Sequence, residues 1–168
     1  ALIFFRLVWG FVGTHQAQLG QFIKSPKAIL SYLKNPSETP GHSPMGAVSV
    51  LVLLALFLAQ ALAGLFATDD IAFDGPFAKY VASAWVELLT SFHRWNEWVL
   101  LALVATHIGA ILYYKYAKRI NLTSAMITGD KELVDAAMVP LIQDDSKVRL
   151  KAMAILIAIA LIMYYFLR

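Results

Sequence analysis

The sequence predicts an all-α integral membrane protein. Of its 168 residues, 60% are hydrophobic and 15% are charged, whereas soluble domains average about 45–50% apolar and about 25% charged residues. Several uncharged runs approach the roughly 20 residues that a helix needs to cross the hydrocarbon core of a bilayer. The chain has no cysteine, which excludes disulfides, iron–sulfur clusters held by cysteine and covalently attached haem. A bound metal or haem would therefore need histidine, methionine or oxygen ligands.

Three runs predict complete membrane spans, and a fourth predicts part of one. Residues 45–67 are 23 positions without a charge. Residues 88–115 form the second span, and residues 150–168 form an additional C-terminal span with basic residues at both ends. Residues 1–12 are apolar, but a helix of that length covers only about 18 Å of a hydrocarbon core of about 30 Å. We expect them to belong to a transmembrane helix that starts before Ala1; an interfacial helix is the alternative.

The distribution of lysine and arginine predicts the orientation of these spans. Residues 13–44 carry three lysines and one acidic residue, and residues 115–119 carry three basic residues, so both segments should be cytoplasmic. Residues 68–87 carry four acidic residues and one lysine, so they should face the other side. Residues 132–149 form a cytoplasmic linker, with a short amphipathic helix expected around residues 131–139. The net charge of +3 gives no indication of nucleic acid binding.

Two histidines, His93 and His107, stand fourteen residues apart on the second span. In a helix they lie about 21 Å apart along the axis and within about 40° of each other around it. They therefore share one side of the helix at two depths of the bilayer. Because an unpartnered imidazole is costly in hydrocarbon, an intramembrane histidine indicates a functional site.

Among cofactors, haem b with axial histidines fits this pattern better than a metal site. A haem takes an axial imidazole and an apolar slot, whereas zinc or copper needs three or four ligands at one depth. His42 is a weaker candidate, as an axial ligand or as a hydrogen-bond donor to a haem propionate. Arg6 either extends to the cytoplasmic interface or pairs with a haem carboxylate.

Small residues at positions 59, 63 and 64 of the first complete span predict a tightly packed helix face that would also admit a porphyrin edge. Glu97 lies one turn after His93, where it could contact a proton or a quinone or pair with Arg94. Two other functions stay open on the residues alone. One is a haem-free membrane interaction or assembly subunit whose histidines only pack; the other is a proton or ion translocator that uses His93, Glu97 and His107.

With these residues in view, the chain resembles the bacterial transmembrane di-haem cytochrome b family that includes the b-type subunit of nickel-iron hydrogenases. The resemblance covers about residues 1–131 and depends most on His93 and His107. Shorter motifs accompany the pair: RLVWGFVG at residues 6–13, GHSPMG at residues 41–46 and MITG at residues 126–129.

The resemblance implies a transmembrane four-helix bundle, here with a partial N-terminal helix, that holds two b haems stacked across the membrane. It implies that His93 binds the outer haem and His107 the inner one. Their partner ligands would come from the first two bundle helices, and therefore from residues before Ala1 or from another chain. Residues 1–131 would form the cytochrome domain, to which residues 150–168 add a span.

The function implied is electron transfer in the bacterial cytoplasmic (inner) membrane, as a subunit and not as a stand-alone enzyme. Electrons would pass between a periplasmic cytochrome c or other redox protein and the quinone pool. The expected partners are therefore membrane lipid, quinone, that redox protein and another membrane subunit.

Overall fold

The computed structural model describes residues 1–34, 43–119, 123–124 and 145–166. Within these residues the regular structure is helical, apart from one isolated bridge between Thr68 and Asp74. The five α-helices described are α1 (Leu2–Val12), α2 (Pro26–Lys34), α3 (Pro44–Gly64), α4 (Ser83–Tyr116) and α5 (Ser146–Phe166). Helices α3, α4 and α5 are long and apolar enough to cross a membrane. The predicted all-α membrane class is confirmed.

The helix ends differ from the predicted spans in ways that local chemistry explains. Helix α3 starts at Pro44 and ends at Gly64, three residues before the apolar run does. Proline suits the first helical position, because its missing N–H would have no partner there. Helix α4 starts at Ser83, five residues before the predicted span. Its first turns are polar and aromatic, so hydropathy alone places its start too late.

Two predicted features lie outside the described residues. These are His42 and the amphipathic helix expected around residues 131–139. The predicted linker is described only at its end, where α5 begins at Ser146. The domain boundaries stay predictions.

One compact unit comprises residues 1–51 and 121–168. In it, α5 packs against α1. The ammonium group of Lys151 donates a 2.7 Å hydrogen bond to the carbonyl of Val12, the last residue of α1. A cation suits this place because the carbonyl end of a helix carries partial negative charge. Gly10 is buried against Leu19, whose Cγ would lie only 2.5 Å from a Cβ at position 10.

The other compact unit comprises residues 52–120 and contains the C-terminal part of α3, the following loop and α4. The loop folds back on the end of α3, since the N–H of Gly75 donates to the carbonyl of Ala67 at 2.8 Å. A Cβ at position 75 would lie 2.5 Å from the carbonyl oxygen of Leu65, so glycine permits this close approach. The loop is tied to α4 by a 3.1 Å hydrogen bond from the N–H of Thr68 to the hydroxyl oxygen of Thr90.

Candidate functional site

A polar cluster joins α3 to α4 at the level of His93. Nδ1 of His93 lies 3.1 Å from the backbone carbonyl oxygen of Gln60. The side-chain amide of Gln60 in turn donates a hydrogen bond to the backbone carbonyl of His93 at 3.0 Å. Asn96 donates to Oε1 of Gln60 at 2.9 Å and to the carbonyl of Leu56 at 3.0 Å. The side chain of Asn96 is nearly fully buried, with 4% of its surface exposed. These bonds fix which residues of the two helices face each other.

The hydrogen bond to Gln60 also defines the chemical state of the His93 ring. A carbonyl oxygen only accepts hydrogen bonds, so Nδ1 must carry a proton and donate it. In the neutral ring, the lone pair is then on Nε2, the nitrogen available to a metal. Histidines that ligate metals usually donate their other ring N–H to a carbonyl or carboxylate in this way. His93 therefore fits the role of a haem ligand.

The ring of His93 lies against the end of α3. A Cβ at Gly64 would be 2.9 Å from Cε1 of His93 and 3.3 Å from its Nδ1. The ring is half-buried. The prediction of a tightly packed small face on α3 agrees with this contact, and Ala63 is 3% exposed.

A pocket of about 200 Å³ opens beside this ring, and it is lined by Gly64, Ala67, Thr68, Asp69, Phe73, Thr90, His93 and Arg94. Sites that enclose a small ligand or cofactor are usually about 300–1,000 Å³. The pocket lies below this range, so it does not by itself enclose a whole cofactor.

The loop between α3 and α4 carries a negative charge at Asp69. One carboxylate oxygen of Asp69 accepts hydrogen bonds from the backbone N–H groups of Ile71, Ala72 and Phe73 at 2.8–3.0 Å. These bonds, that from Phe73 first, hold the pKa of Asp69 below its ordinary value, because they stabilise the ionised form. Asp69 lines the same pocket as His93.

His107 lies on α4 with His93, as the sequence predicted, and α4 is continuous from Ser83 to Tyr116. Its side chain is half-buried. Helical geometry places the two rings' positions about 21 Å apart along the axis. Among the described residues, no group of three or more His, Cys, Asp or Glu side chains could hold a metal ion.

Arg6 contacts the segment that follows α1. Its guanidinium donates to the carbonyl of Ala17 at 2.9 Å and lies 5.3 Å from the centre of the Phe22 ring. His15, in the same segment, is exposed, with its Nε2 3.1 Å from the amide nitrogen of Gln21.

The sequence interpretation did not assign roles to Gln60 and Asn96. A signal was present, because Gln60 is a rare polar side chain within an uncharged run and Asn96 follows His93 by three residues. Residues three apart lie near one another on a helix surface, so both observations point to the interface that holds His93.

The fold and the site together define a multi-pass helical membrane protein in which the ring of His93 on α4 is held against α3. A comparison with known families identifies the family of this chain. A family model described as prokaryotic cytochrome b561 matches residues 1–129. The chain belongs to this family, whose members are membrane proteins that transfer electrons through b-type haem. Helix α5 lies beyond the matched residues. No curated protein and no solved structure matches the chain.

Proposed function

We propose that this chain is an electron-transfer subunit of the bacterial inner membrane that carries two b-type haems, one bound through His93 and one through His107. It relays electrons between a periplasmic redox partner, a cytochrome c or an oxidoreductase, and the quinone pool. The observation that carries this proposal is the hydrogen bond from Nδ1 of His93 to the carbonyl of Gln60, on the helix that also bears His107.

A b-type haem, when bound, supplies a reversible one-electron iron couple inside the membrane. The residues of the chain supply the ligand and its orientation. His93 donates from Nδ1, so its Nε2 is the ligand atom and its ring cannot turn without losing a hydrogen bond. Gly64 leaves room for the ring beside α3.

The other two candidate residues have secondary roles in this proposal. Arg6 donates one hydrogen bond to the carbonyl of Ala17. Because a guanidinium has five N–H donors, Arg6 could also donate to a haem carboxylate. His42 is the candidate for a propionate contact or a further axial ligand near the cytoplasmic face.

The charges of the loops support the orientation proposed for the chain in the membrane. The loop between α3 and α4 carries Asp69, Asp70 and Asp74 against Lys79. Basic residues concentrate before α3 and after α4, which is typical of cytoplasmic segments. Under this orientation, His93 lies toward the periplasmic partner and His107 toward the cytoplasmic side.

A reduced-minus-oxidised spectrum of membranes that contain the protein tests the proposal. We expect the α-band of a b-type cytochrome in this spectrum. We also expect added quinol to reduce part of the haem that gives this band. Absence of the α-band would contradict the proposal and would leave His93 as a residue that only packs α4 against α3. Proton flux in liposomes without any redox partner would instead favour a translocator that uses His93, Glu97 and His107.

A further inference from the structure

Two side chains that are not themselves ligands hold the candidate ligand His93 in place. We infer that Gln60 and Asn96, the Gln60–Asn96 clasp, position the imidazole of His93 and thereby set the reduction potential of the haem bound to it. This inference rests on the proposed function, since it requires a haem on His93.

The first step is that Gln60 and His93 hold each other at two points. The carbonyl of Gln60 accepts from Nδ1 of His93 at 3.1 Å, and the side-chain amide of Gln60 donates to the carbonyl of His93 at 3.0 Å. One bond fixes the ring and the other fixes the backbone that carries it. The Nδ1 bond therefore keeps its length only while α3 and α4 keep their register.

The second step is that Asn96 fixes the side chain of Gln60. Its amide donates to Oε1 of Gln60 at 2.9 Å and to the carbonyl of Leu56 at 3.0 Å, and it is almost completely buried. In hydrocarbon no water can replace a broken hydrogen bond. The clasp therefore favours the one arrangement in which the side-chain amides of Gln60 and Asn96 form hydrogen bonds between α3 and α4.

The third step links this arrangement to the iron. An imidazole that donates a hydrogen bond from Nδ1 is a more basic ligand, and a more basic ligand favours ferric over ferrous iron. Loosening the clasp lets the Nδ1 bond lengthen, which makes His93 a weaker electron donor. The potential of that haem should then rise.

The test uses Gln60→Met, which keeps the length of the side chain but removes both of its hydrogen bonds. The second variant is Asn96→Leu, which keeps the bond from Gln60 to the carbonyl of His93. Thr106→Val is the matched control, because the hydroxyl of Thr106 bonds within α4, to the carbonyl of Ala102 at 2.8 Å. Redox titration of the α-band and electron paramagnetic resonance of the ferric protein are the readouts.

Residues that support a metal ligand typically change metal affinity or activity by about 10- to 100-fold when they are mutated. Taking the lower end of that range, we expect Gln60→Met to lower the preference of one haem for the ferric state by about tenfold, which corresponds to about 59 mV for one electron. Asn96→Leu should shift the same haem in the same direction by less. The ferric signal of that haem should change in shape, while the other haem and Thr106→Val keep wild-type values.

The inference would be overturned if the wild type holds b-type haem and both variants keep its potentials and ferric signals unchanged. A loss of thermal stability alone would also overturn it, since it would assign the clasp a purely structural role. If Gln60→Met fails to assemble, Asn96→Leu decides by the same criteria. Failure of the proposed function looks different, because wild-type protein would then lack the α-band.

Discussion

Replacing Gly64 with alanine should weaken the binding of one haem. The new Cβ would lie 2.9 Å from Cε1 of His93, whereas ordinary contacts begin at 3.4 Å, so the ring must move by about 0.5 Å to restore such a contact. A movement of that size along the Nδ1 bond to Gln60 stretches it from 3.1 Å to about 3.6 Å, beyond hydrogen-bond length. The backbone at Gly64 has no left-handed φ, so the effect of alanine is steric.

Overpacking of this kind costs about 1–3 kcal/mol. If the His93 site bears that cost, the affinity for its haem falls by about 5- to 150-fold. The assay is the transfer of haem to an apoprotein acceptor, followed by absorbance in Gly64→Ala and wild type. Gly20→Ala is the control, because a Cβ at Gly20 meets nothing within 4 Å. Equal haem affinity in Gly64→Ala and wild type would refute the reasoning.

Three further predictions concern the elements around the site. Thr90→Val should destabilise the protein by about 1–3 kcal/mol in chemical unfolding, because it leaves the N–H of Thr68 without its 3.1 Å acceptor. Lys151→Met should lower stability by about 0.3–1 kcal/mol, seen as a lower Tm, because it removes the cation at the carbonyl of Val12. The stabilisation that Asp69 provides should be complete above its ordinary pKa of 3.8 and be lost as the pH falls through its lower folded-state pKa, which hydrogen exchange of the loop amides would detect.

Each of these predictions has a control and a contradictory result. Lys147→Met changes an exposed lysine of α5 and should leave the Tm unchanged; an equal effect would mean that charge alone matters. Thr106→Val should be much milder than Thr90→Val, and equal costs would count against the role of Thr90 as the acceptor for the N–H of Thr68. Asp69→Ala should lose loop protection at neutral pH, and unaltered protection would contradict the account of that loop.

The sequence alone was sufficient to predict the membrane class and the helices that could cross a bilayer. Long uncharged runs such as residues 45–67 leave few other folds, because backbone groups in hydrocarbon must be hydrogen-bonded internally. The placement of His93 and His107 on one side of one helix also followed from the apolar run that contains them and from their spacing of fourteen residues. Helical geometry needs only the spacing of residues along a single element.

The partners of His93 could not be predicted in the same way. Which residue of α3 faces His93 depends on the register between two helices, and apolar composition does not determine that register. Gln60, Gly64 and Asn96 reveal it through hydrogen bonds and one close approach. The start of α4 was missed for a simpler reason, since its first turns at Ser83 extend beyond the apolar run.

The measurement that tests the central claim most directly is the number of haems per chain in histidine variants. Haem is extracted and quantified against protein for wild type, His93→Ala, His107→Ala and the double variant. The account predicts two haems in wild type, one in each single variant and none in the double variant. Haem retained at the wild-type level in the double variant would contradict it, because neither histidine would then be a ligand.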